Sequence, residues 1–138
     1  MDRKISHSSG KRKEAVARAT VRPGNGTFRV NTMLLDHLNP RFARERVRVP
    51  LLLADGILDL NKIDISVVTS GGGVMGQADA IACSIASALV EYSGSEELHD
   101  IYVKYDRTLI AGDHRETEVH KPSQSSKGPR HKRQKSYR

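Results

Sequence analysis

Only one cysteine, Cys83, stands in the 138 residues. It cannot form an internal disulfide, so nothing points to an oxidising compartment, and between Ala82 and Ser84 it reads as a small core or near-core thiol. None of the six histidines falls at a zinc-ligand spacing from it. Tryptophan is absent, and four Tyr and two Phe are the only aromatics. That argues against the stacked-base platforms of proteins that read single-stranded sequence. No stretch approaches the roughly 20 apolar residues of a membrane span. The opening MDRKISHSSGKRKEA has no apolar signal-peptide region, so a cytoplasmic chain with no membrane partner is expected. Asn25-Gly26-Thr27 has the form of a glycosylation acceptor but reads as a turn.

Acidic residues are missing altogether from residues 121–138, KPSQSSKGPRHKRQKSYR, where seven residues are Lys or Arg. Val, Ile, Leu, Met, Phe and Trp are missing there too. Such a segment buries too little apolar area to offset its ordering entropy, and alone in water it is expected to be an extended, disordered arm. Stretched out it reaches roughly 60 Å at about 3.3 Å per residue. A purely cationic arm needs an anionic partner, and a nucleic-acid backbone is the best general candidate. Seven phosphate contacts imply a salt slope near −5 to −6, at roughly 0.7–0.9 per contact.

The net charge of +7 hides three blocks. Residues 1–48 carry 12 Lys/Arg against 4 Asp/Glu, residues 49–120 carry 4 against 12, and the tail carries 7 against none. A basic first third and a basic tail therefore flank an acidic middle, which could face solvent, a basic neighbour or the first third of the same chain.

Alternation over Lys11 to Val21 places Ala15, Ala17, Ala19 and Val21 on one face of a strand and Arg12, Arg18 and Arg22 on the other. Pro23-Gly24-Asn25-Gly26 predicts a turn, and Thr27 to Asn31 a returning strand that completes a hairpin. Thr32 suits the N-cap of a short helical turn through Met33, Leu34 and Leu35. Asn39-Pro40 opens a second helix with Pro40 at its first position, Phe42, Ala43 and Val47 inward, and a break or kink near Val49 before Pro50. Leu51, Leu52 and Leu53 are expected in the core. A strand follows over Lys62 to Thr69, and the best helix over Gln77 to Tyr92, with Ala78, Ile81, Ala82, Ile85, Leu89 and Tyr92 on one stripe before Ser93-Gly94 stops it. A shorter helix, Glu96 to Tyr105, turns Leu98, Ile101, Tyr102 and Tyr105 inward, and Leu109 and Ile110 tuck back behind it. The reading is α+β: one small sheet with helices mainly on one face, residues 1–120, and a basic C-terminal tail, residues 121–138.

Gly71-Gly72-Gly73-Val74-Met75-Gly76 fits G-x-G-x-x-G between a strand and a helix. No acidic residue ends a following strand, no second βαβ unit follows, and Gln77-Ala78 replaces the Lys-Ser/Thr of a phosphate loop. The turn therefore reads as structural, with free N–H groups able to hold an RNA phosphate, and no cofactor is expected. Asp113, His114 and Glu116, and likewise His99 and Asp100, read as solvated side chains rather than acid–base pairs. Two rival readings are a free-standing basic module and a small nucleotide-dependent enzyme using the glycine turn. Cofactor binding to the isolated body, residues 1–120, tests the second.

GKRKEAVARATVRPGNGTFRVN (Gly10 to Asn31), TSGGGVMGQADAI (Thr69 to Ile81) and the ending KRQKSYR (Lys132 to Arg138) resemble the family of the universal ninth protein of the small ribosomal subunit, over nearly the whole chain and in the right order. The ending resembles its archaeal and eukaryotic branch. The resemblance implies a non-enzymatic constituent of the subunit head, bound to its ribosomal RNA and to neighbouring ribosomal proteins. It also implies a fold like that of the second domain of the fifth small-subunit protein, with a left-handed βαβ crossover. The tail is expected to thread toward the peptidyl-site transfer RNA and meet it through Lys135, Ser136, Tyr137 and Arg138. Ribosomal RNA is expected at Lys11, Arg12, Lys13, Arg18, Gly72 and Gly73. In the tail it is expected at Lys121, Lys127, Arg130, Lys132 and Arg133.

Overall fold

A computed structural model describes residues 4–120 and 128–131. Among them, strands β1 (Ser6–Arg12), β2 (Ala15–Pro23), β3 (Phe28–Val30), β4 (Met33–Leu34) and β5 (Ile63–Ser70) form one mixed sheet in the order β1-β2-β5-β3-β4. The helices are α1 (Arg41–Ala54), α2 (Val74–Ser93), α3 (Glu96–Tyr105) and the short α4 (Thr108–Ala111). Short 3-10 turns at Leu35–His37 and Leu60–Lys62 lead into α1 and β5.

The strand expected over Lys11 to Val21 is the end of one strand and most of another. The chain reverses at Lys13, which has φ +53°, and β1 pairs antiparallel with β2 from Ser6↔Val21 to Arg12↔Ala15. The expected hairpin between β2 and β3 does not form. β5 lies between them, antiparallel to β2 and parallel to β3, because alternation marks a strand without naming its partner. Thr32 does not cap a helix. Asn31 and Thr32 both take positive φ and make the tight turn into β4, which pairs with β3.

α1 runs through Pro50 to Ala54, so of the expected break or kink near Val49 the break does not occur. Proline removes one helical hydrogen bond, to the Arg46 carbonyl, but its ring is buried with Ala43, Val47, Leu51 and Ala54 on the packed stripe. The Pro50 carbonyl also accepts a hydrogen bond from the buried Tyr102 hydroxyl at 2.8 Å. Pro40 caps α1 rather than starting it. Phe42 and Leu52 lie off the stripe and are exposed, contrary to expectation, as is Tyr105 on α3. Leu53, Ile101 and Tyr92 are only partly buried.

α2 begins three residues before the expected Gln77 and ends where expected, with Gly94 left-handed at its C-cap. By length and composition it is apolar enough to cross a membrane, more than the sequence reading allowed. Its surface is spent instead on the core, where ten of its residues are buried against β1, β2 and α1. The inward face of the sheet is made of Ala15, Ala17, Ala19, Val21, Ile63, Ile65 and Val67, so helix and sheet approach closely. The approach is closest at Gly10, where an added Cβ would sit 2.3 Å from the Ala80 carbonyl oxygen and 2.7 Å from the Ser84 nitrogen. Helices cover this one face. The other carries exposed Arg18, Arg22, Arg29, Ser66, Val68 and Ser70.

Candidate nucleic-acid interface

The β1–β2 reversal puts Lys11, Arg12 and Lys13 at one end of the sheet. The strand-to-helix turn after β5 comes to the same place. Gly71 and Gly72 are left-handed, and a Cβ on Gly71 would lie 2.4 Å from the Glu14 carbonyl oxygen, while one on Gly72 would lie 3.0 Å from Ala15. These glycines are therefore required by a positive φ and a close backbone approach, whatever else the turn does. Gly73 caps α2 with open space around it, and no side chain caps the first-turn N–H groups. Two stretches some sixty residues apart, Lys11–Lys13 and Gly72–Gly73, thus form one corner.

The same corner holds an ion network absent from the sequence reading. Arg12 lies 2.7 Å from Asp113 and 3.8 Å from Asp79. Arg46 donates to Asp79 Oδ1 at 2.8 Å and to Asp106 Oδ2 at 3.2 Å. Lys11 Nζ donates to Glu116 Oε1 at 2.7 Å. Asp113 is held well below the usual carboxylate range by the guanidinium and amide of Arg115, which outweigh desolvation, with Arg12 adding to them. Burial pushes Asp106 up, but hydrogen bonds from Thr108 and then Arg46 bring its value below the ordinary one. Lys11 is raised and Glu116 lowered by the hydrogen bond they share. Lys11, Arg12, Arg46, Asp79, Asp106 and Asp113 border a cavity of about 290 Å³ that also touches Cys83. Burial pushes the Cys83 thiol up, away from the thiolate a nucleophile needs.

The acidic middle therefore pairs in part with the basic first third. Asp113 and Glu116, expected as solvated side chains, are ion-pair partners. His99 Nδ1 stands 3.5 Å from Asp100, with Asp100 exposed and His99 half-buried.

Arg18 faces away from the helices, between Ser9 of β1 and Val68 of β5. Arg22 and Arg29 share its face, which the alternation had shown for Arg22 but not for Arg29. Asp64 lies opposite Arg22, yet its Oδ1 accepts from the N–H groups of Asn25 and Thr27 at 2.9 Å each. Those bonds, Thr27 first, lower its pKa and tie the carboxylate to the turn. Among the described residues Lys13, Arg18, Arg22 and Arg29 make no ion pair.

Of the tail residues singled out above, Arg130 alone is described. Its Nη1 donates to Glu118 Oε1 at 2.9 Å, and a second, shorter bond joins Nη2 to Oε2. Lys121, Lys127, Lys132, Arg133, Lys135, Ser136, Tyr137 and Arg138 lie outside the described residues.

The profile of the family described as ribosomal protein S9/S16 matches residues 10–138. The chain is 44% identical over 135 residues to the small ribosomal subunit protein uS9 of Methanococcus maripaludis, spanning 98% of this chain and 99% of that one. The protein of the same name from Methanococcus vannielii matches at the same identity and coverage.

Proposed function

Because the chain belongs to the ribosomal protein S9/S16 family, we propose that its basic corner, its open sheet face and its tail bind RNA within the small ribosomal subunit. It is a structural, non-enzymatic constituent of that subunit, at work in translation in the cytoplasm. Residues 1–120 act as the anchor and residues 121–138 as an arm. The anchor's fold is of the kind found in the second domain of the fifth small-subunit protein, with the connection from β3 through α1 to β5 as its left-handed crossover. Neighbouring ribosomal proteins cover part of the remaining surface.

The observation that carries this reading is the corner itself. Lys11, Arg12, Lys13, Gly72 and Gly73, assigned to ribosomal RNA from separate stretches, converge there beside the start of α2, where no side chain caps the first-turn N–H groups. Cationic side chains and free N–H groups in one place suit phosphate oxygens and carry no base-reading code. Arg18 extends the surface across the sheet. Lys121, Lys127, Arg130, Lys132 and Arg133 continue it along the arm.

For the arm, energetics favour a channel through folded RNA. Fixing eighteen residues costs on the order of 18–36 kcal/mol of backbone entropy, at about 1–2 each, and an extended anionic surface offsets it. The end of the arm, Lys135, Ser136, Tyr137 and Arg138, then reaches the peptidyl-site transfer RNA, with the Arg138 guanidinium on a phosphate. Removing the last three residues leaves subunit assembly intact, read by sedimentation, and weakens transfer-RNA binding at the peptidyl site. Unchanged transfer-RNA affinity in such subunits rules out the contact.

A further inference from the structure

Three of the cations assigned above to ribosomal RNA hold carboxylates of one short segment, although Arg12 also lies near Asp79 of α2. Lys11 holds Glu116, Arg12 holds Asp113, and Arg130 holds Glu118. All three carboxylates lie on Asp113–Glu118, the stretch that follows α4, has no regular secondary structure and immediately precedes the tail. We propose that this acidic strap is an internal stand-in for RNA phosphates, masking a phosphate site formed by Lys11, Arg12 and Arg130 until ribosomal RNA displaces it. The proposal rests on the RNA-binding reading of those three residues.

Geometry distinguishes the strap from ordinary surface pairing. Glu116 and Glu118 are exposed, with side-chain accessibilities of 65% and 52%, and exposed pairs of this kind are individually weak. A single stray phosphate must compete with them, whereas an RNA surface offering many phosphates at once exchanges them readily. Asp113 sits deeper, at 11%, where one carboxylate serves Arg12 on one side and Arg115 on the other. Arg12 Nη1 is buried and lies within ion-pair distance of Asp113, yet no hydrogen bond is aligned to it. An RNA phosphodiester, with two non-bridging acceptor oxygens, can supply that bond.

The two sets of cations then act in sequence. Lys13, Arg18, Arg22 and Arg29 are ready in the free protein and govern encounter. Lys11, Arg12 and Arg130 become available only where RNA is shaped to reach the strap. Masking lowers the affinity of the free chain for arbitrary RNA more than its affinity for its own site.

The test compares the full chain with Glu116→Gln/Glu118→Gln and with the triple variant adding Asp113→Asn, measuring binding to an arbitrary RNA duplex across a salt series. Glu96→Gln/Glu97→Gln is the control. Both residues are exposed, neither holds a cation in an ion pair among the described residues, and the net charge changes equally. The exposed strap pair frees two cations and should tighten duplex binding about thirtyfold at 0.1 M salt, steepening the slope by roughly 1.4–1.8. The control should change affinity less than about threefold, since screening at that salt acts over about 10 Å. The triple variant should add a further increment of slope. The exposed pair keeps the test valid if Asp113→Asn disturbs folding. Equal responses in strap and control variants, with normal RNA binding by the wild type, overturn the mask alone. Failure of the wild type to bind both the duplex and small-subunit ribosomal RNA overturns the mask and the RNA-binding reading together.

Discussion

Arg18 and Arg12 sit on neighbouring strands, yet they meet different surroundings. Arg18 points from the middle of β2 into solvent on the open face, unpaired among the described residues, as do Arg22 and Arg29. Arg12 ends β1 on the inward side, where Asp79 from α2 and Asp113 from the strap close on it. A mid-sheet residue such as Arg18, pointing away from the helices, meets no carboxylate among the described residues. One at the strand end that points toward them meets helix termini and whatever chain passes by. Position in the sheet, more than residue type, thus decides whether a cation is free to meet RNA or already held.

That contrast depends on β1 lying flat against α2, and lifting it should have the largest effect. Gly10→Val drives a branched side chain into the Ala80 carbonyl, a backbone atom that cannot swing aside. Overpacking of this kind costs about 3 kcal/mol or more. A urea titration followed by circular dichroism should show the midpoint collapse. A loss below about 1 kcal/mol would mean that β1 does not approach the helix as described.

The open face comes next. Arg18→Ala/Arg22→Ala removes two exposed cations and no packing, so the urea midpoint should hold. Affinity for small-subunit ribosomal RNA at 0.1 M salt should fall about thirtyfold, with the salt slope shallower by roughly 1.5, because each lost phosphate contact is worth about 0.7–0.9 in that slope. An unchanged slope would assign RNA binding to the corner and tail without the sheet.

Much of this contrast was legible in the sequence, and the gaps have physical causes. The Ala/Val face of β2 and its opposing arginines were plain from alternation, because that face packs on helices and the other meets water. β1 was not, because SHSSGKR has no apolar alternation. Its inward positions include Ser6 and Gly10, small enough for α2 to press on the strand. Leu52 and Phe42 looked like core by residue type, but the helical stripe set by Ala43, Val47, Leu51 and Ala54 leaves them outside. The ion network was invisible for another reason. Arg12 and Asp113 are a hundred residues apart, and only the fold brings them to 2.7 Å. The convergence of Lys11–Lys13 with the glycine turn was likewise unreadable until β5 was known to pair with β2.

The smallest effect separates the two regions by pH. The Arg115 hydrogen bonds, with Arg12 adding its charge, hold Asp113 well below the usual carboxylate value in the folded protein, whereas in the unfolded chain it titrates near its ordinary value of about 3.9. A depressed folded pKa means that the unfolded state binds the proton first as pH falls. The stability contributed by Asp113 is therefore complete above about pH 5 and is lost as pH drops below about 4 toward the folded value. The gap in urea midpoint between wild type and Asp113→Asn should stay constant from neutral pH to about 5, then close. Arg18→Ala should track the wild type throughout, since Arg18 makes no ion pair among the described residues. If the Asp113→Asn gap were as wide at pH 3 as at neutral pH, the carboxylate would not be the titrating partner. The corner would then differ from the open face in packing alone, not in electrostatics.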